Sequence, residues 1–166
     1  MRPKRALPRR GARESVILFT VGGFKFAIAA GAVSEIRSME GLQRFFGGTG
    51  HKAMAKVVYT LERNAMTHFV VSAAQHFHLP PSKPTRLLIL RHATAAVLVD
   101  STDRMTEISV LHALPLAFNG DERTWYRGIA ILNGEVVPVV NPSSFLSRGE
   151  VAVLRAITQP VQGVAG

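Results

Sequence analysis

The chain has 166 residues, of which 47% are hydrophobic and 19% are charged, a composition that is typical of a folded globular protein and excludes wholesale disorder. It has no cysteine, which excludes disulfides, thiolate catalysis and metal centres ligated by cysteine. Much of the formal net charge of +9 comes from one end of the chain.

Residues 1–13 are predicted to form a disordered basic tail. They contain six cations, no acid, two prolines and one glycine, and no apolar core follows that would make them a signal peptide. Without them 14 basic and 11 acidic residues remain, so the folded part carries a net charge of +3. Two interpretations of the tail stay open: it is merely solvated, or it contacts nucleic acid or anionic lipid electrostatically.

A β-hairpin is predicted over residues 16–28. Its two apolar stretches flank Gly22 and Gly23, which supply the positive φ angles of a two-residue turn. Phe24 and Phe26 alternate with Lys and Ala, so both rings are expected to point inward.

A short helix or helical turn is predicted next, over residues 31–37, because Val33 and Ile36 lie three residues apart. The glycine-rich stretch 38–55 that follows is predicted to be a long loop. A helical turn and a loop are thus expected between the first hairpin and the strands that follow it.

Two strands, a short helix and a connector complete the first half of the chain, at residues 56–61, 66–71, 73–77 and 79–84. Ser72 is expected to cap the helix through its hydroxyl group. The connector contains three prolines and is predicted to be stiff and extended. We therefore expect it to split one domain, residues 14–148, into two lobes, with the chain crossing between them.

Strand signals dominate the second half as well. Two continuously apolar stretches are expected to be buried on both faces, and Asn133-Gly134 predicts a type I′ hairpin turn. Asn141 and Pro142 are expected to cap and begin a short helix. The predicted strands are 86–90, 95–99, 104–110, 125–132 and 135–140, and a terminal segment 149–166 is predicted to hold a short helix near 150–157 and then fray.

The two halves repeat one order of elements. Residues 57–77 and 129–146 each read as strand, turn, strand, small capping residue and short helix. With about nine short strands in all, this pattern predicts an all-β chain made of two related small barrels.

Residues with catalytic or metal-binding chemistry are few. His76 and His78 are the one pair of imidazoles close in sequence, but no matching acidic cluster accompanies them, so no metal or other cofactor is predicted. Asp100 and Asp103 are expected to bond turn amides, and Asp121 to lie in a solvated turn. Phosphate-binding loops and nucleophile elbows are absent from the sequence, and an enzyme is therefore not predicted.

Three stretches together resemble the CheW-like domain family. Residues 18–28 followed by Val33-Ser-Glu-Ile36 resemble its start, and residues 87–100 resemble its middle. The strongest likeness is in residues 127–142, which read RGIAILNGEVVPVVNP. The resemblance spans roughly residues 15–148.

The resemblance implies a fold of two five-stranded SH3-like β-barrel lobes with short helices and a shared hydrophobic core. It implies a noncatalytic adaptor in the cytoplasm, within membrane-associated arrays. The expected partners are the regulatory domain of a chemotaxis histidine kinase and the cytoplasmic tip of a methyl-accepting chemoreceptor. The positions that match the family's binding surface are Val33, Glu35, Ile36 and Arg63.

An alternative function is a small basic β-barrel that binds nucleic acid. Such a protein would need cations and aromatic side chains interleaved on one face. Lys25, Lys56 and Arg86 are scattered along the sequence, which disfavours this alternative.

Overall fold

The computed structural model describes residues 13–46 and 54–158. Nearly all of the predicted basic tail, the glycine-rich middle of the predicted loop and the segment predicted to fray, 159–166, lie outside the described residues.

Eleven β-strands and three α-helices form within the described residues. The strands are β1 Glu14–Val21, β2 Phe24–Ala29, β3 Val33–Arg37, β4 Gln43–Arg44, β5 Val57–Arg63, β6 Met66–Ser72, β7 Arg86–Leu90, β8 Ala95–Val99, β9 Ser101–Ile108, β10 Tyr126–Leu132 and β11 Glu135–Val140. The α-helices are α1 Ala73–His76, α2 Glu122–Trp125 and α3 Arg148–Thr158, and short 3-10 helices occupy Ala30–Ala32 and Pro142–Ser144.

The strands form two sheets. Sheet A has the order β10-β11-β2-β1-β9, and sheet B has the order β3-β7-β8-β6-β5-β4. The chain therefore leaves sheet A after β2, builds all of sheet B, and returns to sheet A at β9. The proline-rich segment 79–84 joins two parts of sheet B, so the two sheets do not divide there as expected. Proline marks irregular backbone, whereas sheet membership depends on pairing between distant strands.

The all-β class is confirmed, but the lobes are open and not closed barrels. In sheet A the edge strands β9 and β10 do not pair with each other along their length. Instead the chain just after β9 makes a single bridge to β10, with the amide of His112 donating to the carbonyl of Ile129 at 2.8 Å and the reverse bond at 2.9 Å. A Cβ at Gly128 would lie 2.5 Å from the His112 carbonyl oxygen, so glycine permits this close approach.

A shared core joins the two sheets, as expected. It combines Phe19 and Phe26 of sheet A with Phe69 of sheet B, together with Phe145 and Leu154 from the region of α3. Each sheet also has a smaller cluster of its own on its other face. The three clusters form three apolar layers, of which the middle one holds the molecule together.

The sequence of strand β8 is continuously apolar because both of its faces are buried. Ala95, Val97 and Val99 point into the shared core, whereas Ala96 and Leu98 point into the cluster of sheet B. Successive side chains of a strand point to opposite faces, so both faces of β8 are buried. The predicted burial is confirmed.

Both predicted hairpin turns are confirmed. Asn133 and Gly134 have φ angles of 50° and 78°, the positive values of a type I′ turn. Gly22 and Gly23 have φ angles of 58° and 83°. The expectation that the ring of Phe24 points inward is wrong, because Phe24 is 56% exposed. It lies beside the turn, beyond the edge of the core that covers Phe26.

The helix predicted over residues 31–37 is wrong. A 3-10 turn ends at Ala32, and Val33–Arg37 forms strand β3 at the edge of sheet B. A bulge lies between Val33 and Glu35, which pair with the adjacent residues Leu90 and Ile89 of β7. Pairing with β7 overrides the weak helical pattern of so short a segment.

The predicted helix caps are confirmed, and so is the solvated turn at Asp121. The Ser72 hydroxyl accepts a hydrogen bond from the amide of Gln75, and the Asn141 side chain accepts one from the amide of Ser143. Asp121 lies in an exposed turn, as predicted, directly before the short helix α2.

Asp100 lies where the chain returns from sheet B to sheet A. Its Oδ2 atom accepts a 2.7 Å hydrogen bond from the amide of Gly22 in the first hairpin turn, and its own amide donates to the carbonyl of Thr20 at 2.9 Å. Asp100 therefore bonds a turn amide, as predicted, although the turn belongs to another part of the chain. Asp103 lies within β9, where its Oδ1 atom accepts from the amide of Arg104.

Candidate functional site

Two of the four predicted binding residues, Glu35 and Arg63, are direct neighbours. Glu35 lies on the edge strand β3 and Arg63 at the end of β5, and their charged groups are 2.9 Å apart. Their side chains are 39% and 30% exposed, so the pair remains accessible to a partner. An ion pair at this exposure contributes at most about 1 kcal/mol to stability.

The other two predicted residues separate. Val33 is 7% exposed and belongs to the shared core. Ile36 is 42% exposed on β3. The register of β3 pairs Val33 with Leu90 and Ile36 with Leu88, so Ile36 lies two residues farther along the edge of sheet B.

An open groove of about 740 Å³ begins at Arg63 and runs to α3. The end of β5 and the start of β6 form one wall, the turn between β7 and β8 forms another, and α3 with the segment before it forms the third. The arginines and larger apolar side chains of its lining include Arg63, Met66, Arg91, Leu146, Arg148, Val151 and Arg155. Glu35 and Ile36 lie outside the groove lining.

Helix α3 is held in place by its own first turn and by sheet B. The Ser147 hydroxyl accepts from the amide of Glu150, and the Glu150 carboxylate accepts from the amide of Ser147, a reciprocal capping box. The same carboxylate lies 3.5 Å from the Lys56 ammonium, and both side chains are largely buried. Leu154, fully buried, anchors the helix in the shared core.

The groove is strongly cationic. Four arginines line it and, among the described residues, no aspartate or glutamate does. Arg63 is neutralised by Glu35, whereas no ion pair within the described part of the chain involves Arg91, Arg148 or Arg155. Arg91 is oriented by its Nε atom, which donates to the carbonyl of Gly31 at 3.1 Å.

The histidine pair lies in a separate polar cleft of about 720 Å³ on the other side of the first turn of α3. His76 is 4% exposed and packs on the rings of Trp125 and Phe145, with centroid distances of 5.3 and 4.8 Å. Burial, and then the nearby charge of Lys56, lower the pKa of His76 to about 3. His76 is therefore a neutral core residue, and no group of three metal-binding side chains occurs in the described ranges.

Sequence reasoning found Arg63 but missed the other three arginines of the groove, Arg91, Arg148 and Arg155. Arg148 and Arg155 are seven residues apart, which is two helical turns and places them on one face of α3. That spacing was available in the sequence. The contribution of Arg91 was not, because the β7–β8 turn reaches α3 only through long-range packing.

No helix in the described part of the chain is long and apolar enough to cross a bilayer.

Comparisons with known proteins point to one family. The family model of the CheW-like domain matches residues 15–150. Among solved structures, the chain is similar to the scaffolding protein TtCheW from Thermoanaerobacter tengcongensis, with a TM-score of 0.67 and 11% sequence identity, over 78% of this chain and 90% of that one. At this identity the likeness shows the fold. No curated protein sequence matches the chain.

Proposed function

The chain belongs to the CheW-like domain family, a family of noncatalytic scaffolds that couple receptors to a kinase, and we propose that it couples chemoreceptors to a chemotaxis histidine kinase. Its membership of this family makes it a chemotaxis scaffold that acts as a coupling adaptor. The observation that carries the proposal is the family match, which begins in β1 and ends in α3 and so includes both sheets.

For the receptor we propose the surface formed by Ile36, Glu35 and Arg63. Three properties support this placement: an exposed aliphatic side chain, an accessible ion pair beside it, and the groove that begins at Arg63. The partner is the helical cytoplasmic tip of a methyl-accepting chemoreceptor. Contacts between signalling proteins are commonly small and reversible, which agrees with a surface formed by these few side chains.

For the kinase we propose that its regulatory domain contacts the outer face of β10 and β11. Ile131 and Val136 lie opposite each other on these strands and are 56% and 63% exposed. Two large apolar side chains side by side in solvent are typical of a protein contact surface. Since both partners are cytoplasmic components of receptor arrays, we place the adaptor there as well.

Nucleic-acid binding has no support from the family match. The cations expected to build such a face are also apart: Lys25 pairs with Glu135 on sheet A, Lys56 pairs with Glu150, and Arg86 lies at the start of β7.

Charge reversal tests the receptor surface. Glu35→Arg and Arg63→Glu each break the ion pair, whereas the double swap restores it with the charges exchanged. We expect all three variants to fold, and each to weaken co-sedimentation with a receptor cytoplasmic fragment, because the partner meets each charge at a fixed position. Ile131→Ser should instead weaken binding of the kinase fragment alone.

Thermal unfolding of each variant serves as the control for folding. If the folded Glu35→Arg, Arg63→Glu and double-swap variants all bind receptor as the wild type does, the receptor surface lies elsewhere. If the wild type binds neither receptor nor kinase fragment, the proposed coupling function is wrong.

A further inference from the structure

We propose that the cationic groove between the β5–β6 hairpin, the β7–β8 turn and α3 binds an acidic amphipathic helix of a partner protein. This inference rests on the proposed function, in which a receptor helix approaches the same side of the molecule. It adds the chemistry of that helix: carboxylates beside an apolar stripe.

Charge is the first argument for an acidic partner. Arg91, Arg148 and Arg155 approach the groove from two different elements and have no carboxylate partner among the described residues. Like charges gathered on one concave surface repel each other, and a partner with opposite charge relieves that repulsion. The planar guanidinium group suits carboxylates because it can bind both oxygens.

The apolar part of the lining is the second argument. Met66, Leu146 and Val151 line the groove together with the arginines, and Met66 is 49% exposed. An amphipathic helix packs its apolar face against such side chains, and the charged groups on its flanks contact the arginines. Single-stranded nucleic acid, the other polyanion to consider, is bound by stacking on aromatic rings, and no Phe, Tyr or Trp lines this groove among the described residues.

The chain itself does not supply the acidic segment. All the parts of the sequence outside the described ranges, 1–12, 47–53 and 159–166, lack aspartate and glutamate. Residues 1–12 carry five cations and would be repelled. None of these three stretches can therefore supply carboxylates to the groove.

Two synthetic helices serve as probes. Both carry a leucine stripe on a lactam-stapled helix of about 20 residues; one has glutamate on both flanks, and the other has glutamine at the same positions. We expect the glutamate helix to bind the full-length protein about tenfold more tightly at low salt and to lose this advantage at high salt. Fluorescence anisotropy of labelled helices measures both affinities.

Arginine reversal identifies the groove. The double variant Arg148→Glu/Arg155→Glu should lose about tenfold in affinity for the glutamate helix, and Arg148→Gln/Arg155→Gln should lose less. Arg86→Glu/Arg104→Glu changes the net charge equally at exposed sites outside the groove, and it should bind as the wild type does. Circular dichroism confirms that each variant is folded.

Three results would overturn the proposal. The first is equal binding of the two helices. The second is an equal loss in the matched control, which would show a general charge effect. The third is binding of a single-stranded oligonucleotide that needs Arg148 and Arg155 in the absence of any binding of the helices.

The proposed function fails in a different experiment. If a receptor fragment binds the wild type and the Arg148→Glu/Arg155→Glu variant equally, the acidic-helix inference is wrong while the coupling function stands. If the wild type binds the glutamate helix but neither receptor nor kinase fragment, the groove chemistry stands and the coupling function is wrong.

Discussion

Asp100 is a single side chain on which the connection between the two sheets depends. It lies at the crossing from β8 to β9, and its carboxylate holds the amide of Gly22 in the turn between β1 and β2. A hydrogen bond to a charged acceptor contributes more than a neutral one, commonly about 1.5–3 kcal/mol. The bond thus fixes the first hairpin of sheet A to the end of sheet B.

We expect Asp100→Ala to lower the free energy of unfolding by about 1.5–3 kcal/mol, because the Gly22 amide loses its acceptor. Asp103→Ala is the matched control, since its carboxylate bonds the amide of the next residue on an exposed strand. Urea denaturation measures both. Equal small losses in the two variants would show that the Asp100 bond does not join the sheets.

His76 makes stability depend on pH. Its pKa is lowered from 6.5 to about 3 by burial first and by Lys56 second. Below pH 6.5 the unfolded chain binds a proton that the folded protein excludes, so the free energy of unfolding falls as the pH drops from 6.5 toward 3. Above pH 6.5 this contribution is fully present.

We expect the wild type to lose about 2 kcal/mol more stability than His76→Leu between pH 7 and pH 4.5. Both proteins share the carboxylates that titrate in this range, so the difference isolates the buried imidazole. Urea denaturation at the two pH values measures it. A parallel decline in the wild type and His76→Leu would contradict the assignment.

At the scale of elements, α3 depends on the several contacts of Glu150. Its carboxylate takes part in the capping box with Ser147 and pairs with Lys56. These contacts set where the helix begins and how it lies on sheet B. The position of Arg148 and Arg155 in the groove follows from them.

Two substitutions separate the cap from the charge of Glu150. Glu150→Gln keeps a side chain that can accept from the Ser147 amide, whereas Glu150→Ala loses the cap and the ion pair together. We expect Glu150→Ala to lower the free energy of unfolding by about 1–2 kcal/mol and Glu150→Gln to lower it less. Amide hydrogen exchange should accelerate in α3 in the Ala variant first, and unchanged protection there would contradict the role of Glu150.

The elements that could be predicted from the sequence are those with local signals. The turns at Gly22-Gly23 and Asn133-Gly134 were predicted because a positive φ angle is a property of one or two residues. Strand β3 could not be predicted in this way, because it forms by pairing with β7, which is 50 or more residues away in the sequence. Of the four predicted site residues, Glu35 and Arg63 form an ion pair and Val33 is core, while the role of these residues in binding stays a prediction.

At the scale of the whole molecule, neither sheet is independent of the other. The middle apolar layer takes Phe19 and Phe26 from one sheet and Phe69 and Val97 from the other. Removing one sheet would expose one whole face of the other. The proline-rich segment 79–84 marked a boundary in composition, but the pairing of strands on either side of it places both in sheet B.

We expect a fragment of residues 33–99, which contains all of sheet B, not to fold on its own. Its strands β6 and β8 would expose the side chains that now form the shared core, and the lost burial exceeds the margin by which small domains are stable. A chain cleaved in the exposed segment 79–84 is the control, since both pieces retain their partners. A cooperative thermal transition in the 33–99 fragment would contradict this.

The path of the chain between the sheets has a consequence for synthesis on the ribosome. The first hairpin emerges early, yet its neighbours β9 and β11 emerge last, after the whole of sheet B. The strands of sheet B come from one continuous segment and can begin to pair as they emerge. During that time β1 and β2 of the first hairpin each have one unpaired edge. Exposed strand edges attract other chains, so nascent β1 and β2 need protection until the final hairpin is released. Because of this order of translation, folding is completed only when β9, β10 and β11 have been synthesised and have joined sheet A.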